Sequence, residues 1–180
     1  MDFSDNINTK SKELIRKAKG LLRIPIKWEK PIIIHCKDLE SEIEFKASKV
    51  LDVFEGHKKK PAIYYFEIVS KHSGKEIVET LSAYKDKKKR SCPKIDKKRS
   101  KASKYLYCGS RKEGLYGRFI QHLGFGSQNT YALQLFHWAK EMELQVKFHF
   151  TWLDPNYKEF TELVESALAD KLKPLVGKKA

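Results

Sequence analysis

The chain has 180 residues, 41% of them hydrophobic and 12% aromatic, which is enough for one ordinary domain and argues against wholesale disorder. Lys and Arg number 37 against 23 Asp and Glu, a net charge of +14 that points to a polyanionic partner, nucleic acid before an anionic membrane. No run approaches the roughly 18 apolar residues of a membrane span, and residues 1–17 lack the apolar core of a signal peptide, so a cytoplasmic protein with no membrane partner is expected.

Residues 8–22 carry Leu14, Ile15, Ala18, Leu21 and Leu22 at helical spacing, with Lys10, Lys12, Arg16, Lys17 and Lys19 around them. This predicts a basic amphipathic helix. The segment from Ile24 to Cys36 has two prolines and reads as extended chain or an edge strand. A helix is predicted from Asp38, its cap, to Gly56, its stop, with Ile43, Ala47, Val50, Leu51 and Phe54 as its buried stripe. These parts form an expected N-terminal helical extension, residues 1–57, ahead of a second unit at 58–180.

Residues 61–69 are β-branched and aromatic, hence a strand, and Gly74 marks a turn followed by a short strand. Between Lys85 and Lys104 there are eleven Lys or Arg and two Asp, so most of the net charge sits in a segment expected to be a mobile basic insertion. If about six of these cations met phosphates, the log–log salt slope of binding would be on the order of −5. A second strand follows at 105–109, then a short helix with Leu115, Phe119 and Leu123 on one side, and a longer helix across 130–142. Leu144, Val146, Phe148, Phe150 and Trp152 alternate as in a half-buried strand, and a last helix ends near Pro174. The order β, β, α, α, β, α from residue 61 predicts an α+β fold with a small, mostly antiparallel sheet flanked by helices. Cys36, Cys92 and Cys108 are odd in number and far from any CxxC spacing, so reduced thiols are expected and a zinc site is not.

Taken singly, the polar residues among these elements read as packing or solvated surface. Taken in order they form a set: Ala62-Ile63-Tyr64, Tyr107-Cys108-Gly109, Arg118 nine residues after Gly109, His122, and Glu165 nine residues before Pro174. In order and spacing this set resembles the GIY-YIG nuclease family over residues 61–176, about two-thirds of the chain. Ala62 stands where the family name has glycine. Tyr64 and Tyr107 lie 43 residues apart, where the family has a short hairpin, and the basic segment, about 85–104, fills much of that gap.

The resemblance implies a metal-dependent endonuclease that hydrolyses DNA phosphodiesters, with Tyr64, Tyr107, Arg118, His122 and Glu165 as catalytic residues. Glu165 would hold the metal, magnesium or alternatively manganese, because magnesium retains water and asks for few protein carboxylates. Glu162, one turn earlier, is its rival. Arg118 would counter charge on the phosphate, and Tyr64 would take a proton from the attacking water, with nearby cations lowering its pKa from about 10. Tyr107 would orient water or phosphate, and His122 would relay a proton or contact the phosphate. Lys87, Lys88, Lys89, Arg90, Lys97, Lys98, Arg99, Arg111 and Lys112 are the expected nucleic-acid contacts, with double-stranded DNA as partner. The restriction-type branch fits a chain of this layout better than the repair or homing branches. The rival reading is a non-catalytic, basic nucleic-acid-binding protein on the same scaffold, RNA- or ribosome-associated, which needs the lysines but neither Tyr64 nor Glu165.

Overall fold

In the computed structural model the chain is described at residues 3–21, 23, 26–41, 49–87, 90–95 and 102–177. The fold is α+β: four antiparallel strands in one sheet, flanked by five α-helices among the described residues. The strands are β1 (Ile32–His35), β2 (Ala62–Ile68), β3 (Tyr105–Arg111) and β4 (Gln145–Trp152). Their order in the sheet is β1-β4-β2-β3. Because β1 pairs with β4, the sheet takes a strand from each side of the boundary expected at residue 57. The extended segment before Cys36 does form an edge strand.

Period-two alternation sorts the side chains of the sheet. Tyr64 lies across from Phe150 on β4 and Gly109 on β3, and Phe66 lies across from Phe148 and Tyr107. These residues share the face on which the main core is built. Phe119 meets Phe148 there with ring centroids 4.5 Å apart, and Phe54 stacks on Phe150 at 5.4 Å. The other face carries Tyr65, His149 and Ser110. Tyr65 and His149 stack at 4.4 Å, and His149 bonds Glu67, which also pairs with Lys104.

Helix α1 (Phe3–Leu21) matches the expected amphipathic helix and begins earlier. Its apolar stripe is largely uncovered, with Ile15 56% exposed, and its last turn rests on the 3-10 helix Pro155–Phe160. Gly20 makes that contact possible, since a Cβ there would stand 2.8 Å from the Tyr157 hydroxyl.

Three expectations are corrected, and a fourth is tested only at its ends. The turn and short strand at Gly74 are instead helix α2 (Gly74–Asp86). Ser73 and Glu76 form a reciprocal capping box, with Ser73 N–H donating to Glu76 at 2.7 Å and Glu76 N–H to Ser73 Oγ at 3.2 Å. Ile77 and Leu81, one turn apart, are its buried stripe. The order from residue 61 is therefore β, α, β, α, α, β, α.

The helix expected across 130–142 is a single turn, α4 (Leu135–Trp138). Gln134 just before it adopts a left-handed backbone, φ 58°, which a continuing helix does not allow. Tertiary bonds hold that conformation, as described below. The helix expected over Asp38–Gly56 is described only at its ends, as 3-10 turns at Cys36–Asp38 and Lys49–Phe54. Asp38 lies inside the first turn rather than capping a helix, while Gly56 at φ 70° does follow the second. Leu51 and Phe54 are buried; Ile43 and Ala47 lie outside the described residues.

The basic segment is not one mobile arm. Lys85 belongs to α2, and residues 90–95 are fastened to the body. Ser91 N–H donates to Gln128 O at 2.8 Å, Ile95 bridges to Val176, and Cys92 is buried. Residues 88–89 and 96–101 lie outside the described residues.

Helices α3 (Leu115–Leu123) and α5 (Thr161–Leu172) complete the frame. The first packs on the core face through Leu115, Phe119 and Leu123, and the second runs along β3 and reaches β2. Beyond α5, Leu175 and Val176 donate N–H bonds to Tyr105 O and Leu106 O, which covers that stretch of the β3 edge. Among the described residues no helix is long and apolar enough to cross a membrane.

Candidate active site

The open part of the β3 edge lies in a cleft of about 740 Å³. Tyr64, Tyr107, Arg118 and Glu165, up to 101 residues apart in sequence, all line it. The first three approach from the core face of the sheet. Glu165 comes from α5 and is met by Ser110, which alternation places on the opposite face from Gly109. Strand β3 thus runs between an aromatic–guanidinium half and a carboxylate half.

Gly109 is what lets the first half form. A Cβ at this position would stand 2.6 Å from the Tyr64 hydroxyl and 2.7 Å from its ring carbon Cζ. The phenol therefore lies directly over the β3 backbone, where any side chain would collide with it. Tyr64 itself is 1% exposed, and its ring is enclosed by Phe66, Phe148, Tyr107 and His122.

Hydrogen bonds fix the roles of the groups around this phenol. Leu133 N–H donates to His122 Nδ1 at 3.1 Å, so Nδ1 is an acceptor without a proton. In the neutral ring the proton is then on Nε2, which lies 3.0 Å from Tyr64 Oη and donates to it. Arg118 Nε–H donates to the same oxygen at 3.2 Å. Both acceptor positions of the phenol are filled, leaving its own O–H as donor. Arg118 also donates to Gln121 Oε1 at 3.2 Å and makes a long contact, 3.5 Å, to Tyr107 Oη. Its guanidinium is spread over one edge of the cleft with its plane pinned.

Burial dominates the electrostatics. It pushes the Tyr64 phenol well above 10; the Tyr107 phenol adds to this, while Arg118 opposes it. Tyr107 is raised for the same reason, again opposed by Arg118. The expectation that cations lower the Tyr64 pKa is therefore corrected: at rest it is a neutral phenol. Burial also holds His122 well below 6.5, with Arg118 acting in the same direction. Being fully buried, His122 does not reach a phosphate, and its Nδ1 is occupied by Leu133. Its place is that of a fixed neutral donor to Tyr64, not a relay.

On the carboxylate side, Ser110 Oγ–H donates to Glu165 Oε2 at 2.5 Å and orients the group. Glu162, the rival, also lines the cleft but is exposed and paired with Lys112 at 3.6 Å. Among the described residues no three His, Cys, Asp or Glu side chains cluster as a metal cage. A single carboxylate oriented by a hydroxyl suits magnesium, whose remaining positions are ordinarily water. Glu165 is thus the residue that would hold such an ion.

The expected nucleic-acid contacts separate into groups. Arg111 lines the cleft, and Lys112 stands beside it through Glu162. Arg90 does not extend from a loop: its Nη1 donates to Gly126 O at 3.0 Å and Gln134 Oε1 at 3.2 Å, beside a neighbouring cavity. Lys87 is exposed at the end of α2. Lys88, Lys89, Lys97, Lys98 and Arg99 lie outside the described residues. Sequence reasoning missed Ser110 and Lys94, which both line the cleft. Ser110 had a signal, since it follows Gly109 in a strand and must face the other way. It also missed a basic groove of about 550 Å³ where Arg16, Lys17, Lys19 and Arg23 meet Tyr157.

Comparison with protein-family models, with curated proteins and with solved structures found no match for this chain.

Proposed function

We propose that the protein is a metal-dependent endonuclease that hydrolyses phosphodiester bonds in DNA at the β3 cleft. The observation that carries this reading is the meeting of a doubly hydrogen-bonded phenol, a pinned guanidinium and a hydroxyl-oriented carboxylate in one cleft of a strongly basic chain. The same residues, in the same order, make up the resemblance to GIY-YIG nucleases. A restriction-type role belongs with that resemblance.

In this reading a backbone phosphate enters between Arg118 and Glu165. Arg118 offers its planar donors to the phosphate oxygens as charge gathers in the transition state. Glu165 would hold magnesium, which would supply Lewis acidity for phosphodiester cleavage. Tyr64 first gives its own proton to hydroxide in the solvent of the cleft, forming water, and the resulting phenolate takes a proton from the attacking water. Two N–H donors already aimed at Oη, from His122 and Arg118, stabilise the phenolate formed in that step. Tyr107 borders the same space and orients water or phosphate. Arg111 and Lys94 hold flanking phosphates, which positions the substrate without reading its sequence.

The test is cleavage of supercoiled plasmid with magnesium by wild type and by Glu165→Ala, at matched binding measured separately. The expected result is nicking by wild type and binding without nicking by the variant. If both bind DNA and neither cuts DNA or RNA with magnesium or manganese, the protein is a non-catalytic nucleic-acid-binding module. If both cut equally, Glu165 does not hold the metal.

A further inference from the structure

A second cavity, of about 390 Å³, opens next to the cleft, and Tyr131 lines both. Its ring is 69% exposed, the highest among the exposed large hydrophobic residues described. Exposure on a surface loop ordinarily goes with mobility, but here the backbone is braced on all sides. The four residues that follow, 132–135, are buried. Gln134, itself fully buried, donates from Nε2 to Thr130 O at 3.1 Å and receives Arg90. Leu133 N–H is held by His122, Leu133 O accepts Trp138 Nε1–H at 2.6 Å, and Gln128 O accepts Ser91 N–H at 2.8 Å. The fold braces the backbone around an aromatic ring that stands in water, and no ring partner among the described residues occupies its face.

The cavity beside it has the chemistry of a base edge. Gln128 and Asn129 bring side-chain amides, each with donors and an acceptor, and no hydrogen bond to a described residue engages either amide. Arg90, pinned through one nitrogen, and Lys85 supply positive charge at the rim. Stacking on an aromatic face together with hydrogen bonds to exposed base edges is how proteins hold unpaired nucleotides. A base still paired within a duplex offers neither its faces nor its pairing edge, so the nucleotide must have left the stack.

We infer that Tyr131 and this cavity form a subsite for one unpaired nucleobase adjoining the phosphate in the β3 cleft. The inference rests on reading that cleft as a phosphodiester site, and it narrows the substrate to nucleic acid with an unstacked nucleotide at the cutting position. Tyr131 is a specificity-determining residue here and takes no part in bond breaking.

The experiment measures binding, by fluorescence anisotropy, of the full chain in EDTA, where no metal-dependent cleavage occurs. Wild type, Tyr131→Ala and Tyr131→Trp are compared on a short blunt duplex, the same duplex with one bulged nucleotide, and that bulge made abasic. RNA versions of the three form a second arm. Wild type should prefer the bulged duplex. Tyr131→Ala should weaken binding to it by about 5- to 150-fold, leave the blunt and abasic duplexes unchanged, and be rescued by Tyr131→Trp. An equal loss on all three duplexes, or no preference for the bulge in wild type, overturns the inference. The same pattern with RNA supports the subsite and extends it to both polymers. Base-dependent binding with no cleavage would sink the catalytic reading alone, and cleavage without base-dependent binding would sink this one alone.

Discussion

Replacing Gly109 with alanine tests the placement of Tyr64 independently of any activity. Gly109 does not need a left-handed backbone, so in an open strand the change to alanine would stabilise the protein by about 0.5–1 kcal/mol. Here the added Cβ would lie 2.6 Å from the Tyr64 hydroxyl and 2.7 Å from Cζ, distances that real Cβ atoms essentially never show. The ring has nowhere to retreat among Phe66, Phe148 and His122, and its movement would strain the bonds from Arg118 and His122. Overpacking of this kind costs about 1–3 kcal/mol, and a weakened buried hydrogen bond about 0.5–1.5 more, so a loss of roughly 2–4 kcal/mol is expected. Urea unfolding followed by circular dichroism measures it. In a Tyr64→Leu background only the contact to Tyr107 Cε1, 2.9 Å from the added Cβ, remains, so the same alanine should cost at least about 1 kcal/mol less than in wild type. A Gly109→Ala protein as stable as wild type, or an undiminished cost when the ring is gone, would refute the proposed seat of the phenol.

Three further outcomes are expected. A neutral buried Tyr64 acting as base predicts that the logarithm of the single-turnover cleavage rate rises with slope about +1 from pH 6.5 to 9; a plateau beginning below about pH 8 refutes that role. His122 is held neutral in the fold while an unfolded histidine gains a proton below about 6.5, so its contribution is full above that pH and falls as pH drops. Wild type should therefore lose about 1 kcal/mol relative to His122→Gln between pH 6.5 and 5.5, read as the difference in urea unfolding energies. Ser73→Ala removes one side of the α2 capping box and should cost about 1 kcal/mol in the same assay; no loss would mean that this cap contributes nothing.

What was legible in the sequence tracks how local its cause is. Strands β2, β3 and β4 follow from β-branched and aromatic residues in alternation, and α5 from its spacing before Pro174. Helix α2 was missed because His72-Ser73-Gly74-Lys75 looks like a turn, although Ser73 and Glu76 already spelled its cap. The residues 130–142 imitate a helix because they are apolar on several sides. What decides against it is nonlocal: His122 takes the Leu133 N–H, and Arg90 and Trp138 fix the backbone around Gln134. The site divides in the same manner. Tyr64, Tyr107, Arg118 and Glu165 could be named from their order along the chain. The tautomer of His122 could not, because it is set by an amide eleven residues away that reaches it only when the loop before α4 is in place. The neutrality of Tyr64 depends on burial by residues from both neighbouring strands, which no spacing displays.

The way the cleft is divided across β3 gives it a history during synthesis. A growing chain is made from its N-terminus at about 5–20 residues per second, so Tyr64, Tyr107, Arg118 and the β4 residue Phe148 that encloses the phenol are all made before Glu165. Until residues 165–177 arrive, the chain has no Glu165, and the upper β3 edge lacks the bonds from Leu175 and Val176. A nascent or prematurely terminated chain can thus carry its positive charge to the nucleic acid around it while lacking the carboxylate half of the cleft. The cleft gains its second wall in a late step, when α5 docks.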